Sequence, residues 1–469
     1  MMRVLEFIVA LIIVAVVGVV VGVIMPGSGH VERSLVFGKD MRQVYDVLDN
    51  FRRFEDYSSL RQEDPKIQLK LSGKAFGPGS EVSWNSDQRI GQGKLTIASA
   101  EPEFYKINNT VNNAKIVWNL DNDWRGQDKH FTLDLERQGS RHQLTKVTWS
   151  YDVAYGFNLV NRYSNLYIHG DPDSLIQNSL GNLQNVLAAV PNIDYGNLIP
   201  YIQQTQPTPV LLVSTSIERN GGLAALDEAT ATAVKQIQDA AKKLGVNVVG
   251  PRVIFTTNYG DQTYTFDVAM PIDASSLTVA GQSQELTAPQ QPKLGEEEPA
   301  EAASAPASAS SAGKPAAGPA PGDHDRYGRL IVDNNVRATL AYGGPALVGV
   351  WNGTGAGVPL TRDMLKAYAQ THGYKFDEVT NRLYDIEAQP EAKDKTGAVT
   401  TYAKYDVYLP LLGDNVPEQT PEQAAGIPQP TLEVAPAAAS SAPAAAGSSA
   451  APAAAGTAAA PTEAASAGE

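Results

Sequence analysis

The first pattern along the chain is an unbroken apolar run. From Phe7 to Met25 no charged or strongly polar side chain occurs. At 1.5 Å per residue this run spans roughly 28 Å, about the hydrocarbon thickness of a bilayer, and predicts a membrane-spanning helix within an anchor over residues 1–29. A cleaved signal peptide is the rival reading. It fits less well, because the run exceeds the usual h-region and Pro26-Gly27-Ser28-Gly29 does not resemble an A-x-A site. Beyond the anchor the period changes. Val31 to Phe37 alternates as a strand, and Met41 to Leu48 has apolar residues at helical spacing. Short alternating runs follow at Ser80–Trp84, Lys94–Ala98, Phe104–Asn108, Ile116–Leu120, Phe131–Leu135 and Leu144–Val153, separated by glycine-bearing turns. These predict an antiparallel meander. Asp171-Pro172 then opens a helix with Leu175, Ile176, Leu180, Leu183, Val186 and Leu187 on one face, and Asp171 is expected to cap it.

Further along, two stretches share one order of punctuation. Pro209 to Val213 and Pro345 to Val350 read as strands, each leading through a glycine loop, Asn220-Gly221-Gly222 or Gly353 to Gly357, into an amphipathic helix that stops at Gly245 or Gly373. Both stretches close on similar strands, Phe266 to Ile272 and Tyr405 to Leu411, each with a proline near its end. Near-equal offsets with the same punctuation predict a duplicated βαββ unit, packed about a pseudo-twofold axis with both helices on one face. The expected fold class is therefore α+β: a transmembrane helix, a curved antiparallel sheet with a long helix, and a βαββ pair interrupted by an insert.

Composition marks what cannot fold into this plan. Residues of about 281–322 and 414–469 are dominated by Ala, Ser, Pro and Glu and offer almost no apolar side chains larger than alanine. The resulting division is an anchor at 1–29, a first domain at 30–203, half-units at 207–273 and 328–412, a disordered linker at 274–327 and a disordered tail at 413–469. The chain carries 37 Lys+Arg against 51 Asp+Glu, a net −14, which argues against a nucleic-acid partner. No cysteine is present, which excludes disulfides and thiolate chemistry. Six scattered histidines give no clustered metal site; His130, His142 and His169 stand apart from any carboxylate pair. The glycines from Gly353 to Gly357 lack the G-x-G-x-x-G spacing of a dinucleotide site, with Pro359 where the third glycine's helix packing would fall.

Two resemblances follow from these motifs. His30-Val31-Glu32-Arg33-Ser34 after a membrane segment, Val44 to Leu48, Phe76-Gly77-Pro78-Gly79-Ser80, Trp84 with Gly91-x-Gly93, Thr148-Trp149, Arg162-Tyr163 and Gly170-Asp171-Pro172 make the first domain resemble the START/birch-pollen-allergen (SRPBCC) helix-grip superfamily, closest to its polyketide cyclase/dehydrase-like members. That resemblance implies a cavity between sheet and helix for an apolar ligand, lined by Trp84, Trp118, Phe131, Trp149 and Tyr151. The repeat, with Gly250-Pro251, Tyr264-x-Phe266-Asp267 and Pro271, resembles the gyrase-inhibitory-protein-like effector-binding family. It implies a groove between the half-units, with Trp351, Tyr384 and Tyr408 as candidate lining residues. Family members that bind cations place a Glu near the second helix; here Asn381-Arg382-Leu383-Tyr384 puts Arg382 at that position, which favours a neutral or anionic ligand.

Together these readings describe a single-pass inner-membrane protein with its folded domains on the periplasmic side. It would touch lipid through the N-terminal helix and bind an apolar or amphipathic small molecule, without a cofactor and without catalysis. A cyclase- or hydrolase-like enzyme using the helix-grip cavity, and a scaffold with vestigial cavities, are the alternatives.

Overall fold

A computed structural model describes residues 2–88, 90–103, 106–108, 110–139, 143–259, 262–291, 320–413 and 416–424. Most of the expected linker and tail, together with Phe104 and His142, lie outside the described residues. Helix α1 (Met2–Ile24) contains the apolar run, and its stretch Val4–Ile24 is long and apolar enough to cross a membrane, with nearly all of it exposed. After three intervening residues the chain enters strand β1 (Ser28–Phe37).

Helices α2 (Met41–Leu48), α3 (Phe54–Tyr57) and α4 (Leu60–Glu63) follow, and then strands β2 (Gln68–Gly73), β3 (Ser80–Asn85), β4 (Gln92–Glu101), β5 (Asn113–Asn122), β6 (Gln127–Gln138) and β7 (Leu144–Ala154). They form one sheet in the order β1-β7-β6-β5-β4-β3-β2, with every neighbouring pair antiparallel. Alternation dictates which face is buried: β5 turns Ala114, Ile116, Trp118 and Leu120 inward. After the short helix α5 (Leu159–Tyr163), helix α6 (Asp171–Ala188) lays Ile176, Leu180, Leu183 and Leu187 against this interior. Three details differ from the sequence-based expectations. The first strand of the meander is Gln68–Gly73, and Lys106–Asn108 is not a strand. Asp171 is already helical, Gly170 stands at the cap, and Asp173 is the acid that acts, accepting 2.7 and 2.6 Å hydrogen bonds from Arg33.

The second sheet is built from β8 (Tyr201–Thr205), β9 (Thr208–Glu218), β10 (Val253–Tyr259) and β11 (Thr263–Pro271), with α7 (Gly222–Leu244) between β9 and β10. A separate hairpin, β12 (Ser276–Val279) and β13 (Gln282–Glu285), comes next. The sheet resumes with β14 (Leu330–Ile331), β15 (Val336–Ala341) and β16 (Gly344–Asn352), then α8 (Val358–Thr371) and β17 (Tyr384–Gln389). A second small hairpin, β18 (Ala392–Lys393) with β19 (Val399–Thr401), precedes β20 (Lys404–Pro410) and a last turn of helix, α9 (Pro421–Ala424). The nine-stranded order is β14-β15-β9-β11-β10-β17-β20-β16-β8. Helices α7 and α8 share one face. Ile237, Ala240, Phe266 and Val268 pack under α7, while Leu347, Leu365, Val407 and Leu409 pack under α8.

Two stretches assigned to linker and tail are part of this body. Leu277, Val279 and Leu286, within the expected 274–327 linker, are buried in the α7 core. Past residue 413, Gln419 is buried and its backbone N–H donates to Ile202 O at 2.7 Å. In both places a few apolar or hydrogen-bonding positions suffice to dock a chain whose overall composition is poor in them.

The two sheets are not joined by a flexible spacer. All eight residues of α2 are buried, because α2 lies on β6 and β7 with one side and meets α8 with the other. Tyr195, in the connecting segment, donates to Asp46 Oδ2 (3.0 Å) of α2 and meets Thr371 Oγ1 (2.9 Å) of α8. Gly373 ends α8 at φ 71°, and a Cβ there would stand 2.7 Å from that of Arg52. Only glycine allows both the left-handed turn and this approach.

Candidate ligand-binding cleft

The helix-grip interior is filled by its own aromatic side chains. Trp118 and Trp149 meet edge to face at 5.2 Å between ring centroids, Phe131 joins Trp149 at 5.9 Å and Tyr151 at 5.3 Å, and Phe51 closes on Trp118 at 5.1 Å. What remains is a void of about 30 Å³. That is room for about one or two waters. Trp84, Phe131 and Trp149 border it; Trp118 and Tyr151 are wholly packed and do not. The large apolar cavity implied by the resemblance is therefore not open in this structure. The indole N–H groups of Trp84, Trp118 and Trp149 and the hydroxyl of Tyr57 are buried there without a protein partner.

His130 is partly exposed and His169 exposed, and each stands beside one carboxylate. His30 and His130 flank one carboxylate, Asp152, at cross-strand positions, with His30 Nδ1 2.7 Å from Asp152 Oδ1 and His130 Nε2 3.9 Å from Oδ2. The Asp152 hydrogen bond raises His30 above its ordinary pKa. His169 lies 3.7 Å from Asp173. These sites are mostly exposed, and among the described residues no group of three His, Asp or Glu side chains is placed to hold a metal.

A larger cleft of about 280 Å³ opens on the face of the second sheet opposite α7 and α8. This is near the lower end of the roughly 300–1,000 Å³ of ordinary small-molecule sites. Its floor follows from strand alternation. Tyr264, Phe266 and Val268 of β11 point to α7, so Thr265 and Asp267 point into the cleft, with Leu212 and Ser214 from β9 and Phe255 from β10 beside them. One wall is the segment carrying Arg326, Tyr327 and Arg329; the other is the loop from Glu378 to Arg382.

Asp267 organises the charges. Its side chain is buried, and its Oδ2 accepts from Arg329 Nη1 at 3.2 Å and from Arg382 Nη2. Burial alone would raise this carboxyl, but Arg382 and Arg329 beside it more than offset that and hold it below the ordinary range. Arg329 also donates to Asp325 at 2.6 Å. Guanidiniums meet aromatic faces throughout: Arg326 and Arg329 lie 4.7 and 4.9 Å from the Tyr327 ring, and Arg382 lies 5.8 Å from that of Phe255. Glu378, the other lining carboxylate, pairs with Lys366.

The three aromatics expected in a groove are divided. Tyr384 and Tyr408 stack at 4.7 Å on the cleft face, and Phe255 is 5.3 Å from Tyr384, so the pair stands one ring behind the cleft wall. Trp351 alternates to the other face, packs with the cluster under α8 and donates to Thr354 O at 2.8 Å. Arg329 and Asp267 were not singled out as site residues. The available signal was a charged residue at an inward position of an otherwise apolar strand, which requires a partner.

No protein-family model and no curated protein matches the sequence. Among solved structures, the chain is similar to the protein XoxI from Bacillus cereus (13% identity, TM-score 0.24, covering 34% of this chain and 96% of that one). It is similar also to truncated norcoclaurine synthase from Thalictrum flavum (11%, 0.25, 34% and 94%) and to Ara h 8.0201 (12%, 0.24, 34% and 99%). Likenesses this distant carry no inference about ligand or reaction.

Proposed function

We propose that this chain is a membrane-tethered, non-catalytic binding protein whose ligand is an amphipathic small molecule of neutral or anionic character, held on the open face of an effector-binding-like βαββ pair. The observation that carries this reading is the state of Asp267. The acid at the floor of the cleft is already held by two guanidiniums, so the cleft presents arginine faces and aromatic edges rather than a free carboxylate. A cation would have to displace Arg329 or Arg382; a flat anion or neutral ring lies against them directly.

Anilinonaphthalene sulfonate, an aromatic anion, tests the reading. It should bind saturably at one site per folded chain, and an aromatic cation of similar size should bind at least about tenfold more weakly. Ala341→Trp, which fills the cleft without touching its charges, should abolish binding while circular dichroism stays unchanged. Preference for the cation would sink the ligand class.

A second reading rests on the buried indole donors of Trp84, Trp118 and Trp149, which would reward a small hydrogen-bond acceptor inside the helix grip. A small acceptor sized for that void, such as formamide, that shifts the indole N–H resonances of the folded Ala341→Trp variant as it does those of wild type would favour it over the cleft.

A further inference from the structure

The segment between β7 and α6 exposes four large apolar side chains within eleven residues: Phe157 (95% exposed), Val160 (59%), Leu166 (62%) and Tyr167 (75%). No residue of α5 is buried. Such clustering is costly in water and marks a contact surface. We propose that Phe157–Tyr167 is an interfacial foot that inserts into the same bilayer that α1 crosses, giving the helix-grip domain a second lipid contact; this rests on the reading of α1 as a membrane-spanning helix.

The occupant follows from how the segment meets α1. Tyr163 donates its hydroxyl proton to Gly18 O, and a Cβ on Gly22 would lie 3.2 Å from the Tyr163 ring and 3.3 Å from Leu159 Cβ. The small face formed by Gly18 and Gly22 is thus filled by α5 itself. Gly18 precedes Ile24 by six residues, about 9 Å along the helix axis, so α5 lies at the depth of the last turns of α1. Arg162 donates to Val23 O (3.1 Å) and Met25 O (3.3 Å), satisfying carbonyls that the end of α1 leaves open. Its guanidinium lies 5.8 Å from the Phe157 ring. The exposed side of α1 and the exposed side of the foot therefore form one apolar surface, edged by an arginine and by aromatic rings of the kind that settle at membrane interfaces. Arg162 is the sole ionisable Lys, Arg, Asp or Glu between Phe157 and Tyr167, and it is engaged with backbone carbonyls, so insertion is driven by apolar contact rather than by anionic headgroups.

The chain has no cysteine, so single-cysteine variants of the full protein report depth directly. Ile13→Cys, Leu166→Cys and Gln238→Cys are each labelled with an environment-sensitive fluorophore and reconstituted in phosphatidylcholine vesicles carrying nitroxides either near the headgroup or near the acyl mid-point. The label at position 166 should be quenched roughly twofold more by the shallow nitroxide than by the deep one, with the reverse at position 13, and neither should quench position 238. Quenching should persist in high salt. Quenching at 13 with none at 166, repeated with Phe157→Cys, would overturn the foot and leave the anchor standing. Absence at both positions would remove the membrane reading itself, and quenching at 166 alone would show that α1 does not enter the bilayer, overturning the proposed geometry.

Discussion

Asp267 and His372 show how single buried groups set the behaviour of this protein. Asp267 pairs with two guanidiniums from a buried position, so Asp267→Asn leaves Arg329 and Arg382 near each other without the carboxylate between them and should destabilise the fold by about 3–5 kcal/mol at neutral pH. Because its folded pKa lies below the ordinary value, its stabilising effect is fully present above the ordinary carboxylate range and is lost as pH falls towards the folded value. Denaturant titrations of wild type and Asp267→Asn should converge at acid pH; parallel curves would contradict this assignment. His372 acts at higher pH. It is buried against Tyr368, with ring centroids 3.8 Å apart, and Phe76 of the first sheet's domain stands edge-on at 6.5 Å. Burial pushes it down to about 4; Asp46 and the Tyr368 carbonyl pull it upward, while Arg42 and Arg52 add to the lowering. Its depressed value means that the unfolded chain takes a proton the folded one refuses, so stability falls between the ordinary 6.5 and about 4, by ~3 kcal/mol in all. His372→Asn should flatten that part of the pH–stability curve. An unchanged slope would show that another group titrates there.

At the scale of elements, the contact between α1 and α5 is the most sensitive to one side chain. Gly22→Leu improves the helix propensity of α1 but leaves no room for Tyr163 and Leu159, so α5 should lift and its amides should exchange roughly tenfold faster or more, with α6 unaffected. Unaltered exchange would mean that α5 is held by Arg162 and the strand end alone. Elements with strong period were legible in the sequence: α6 from its apolar face, the end of α7 from Gly245, and β3 to β7 from alternation. Those missed lacked such a signal. β2 is an edge strand whose side chains are all exposed or half-buried, so Leu69 and Leu71 alternate against little contrast. The β12–β13 hairpin buries Leu277 and Val279 on one strand, but it stands at the margin of a composition that reads as linker. The cleft was hidden for another reason. Asp267 lies on β11, Arg329 just before β14 and Arg382 just before β17, and only the sheet order β14-β15-β9-β11-β10-β17 brings these distant stretches together. Arg382 departs from the pattern of the resembling family, while its partner Asp267 falls inside the Tyr264-x-Phe266-Asp267 motif that carries the resemblance.

For the whole molecule, α2 lies in the first sheet's core and packs against α8 of the second, and the Asp46, Tyr195 and Thr371 contacts cross the junction. Calorimetry of residues 1–424 should therefore show one unfolding transition. Tyr195→Phe should lower it as a unit, by ~1–2 kcal/mol, since Asp46 keeps its Arg42 partner (2.8 Å) but loses a buried donor. Two separated transitions would show independent bodies. Close ties also reach α1. Between Ile24 and Ser28 lie three residues, and Gly27 O already accepts from the amides of Tyr155 (2.8 Å) and Gly156 (3.1 Å). Gly27 and Arg162 thus tie α1 to the first sheet's domain, as α2 and Tyr195 tie the first sheet to the second. Under the proposed reading of α1 as a membrane-spanning helix, the stretch Val4–Ile24, roughly 32 Å long, must lean in a thinner bilayer to keep its apolar length covered. On that reading everything attached to α1 leans with it, and the orientation of the cleft is set by the thickness of the lipid.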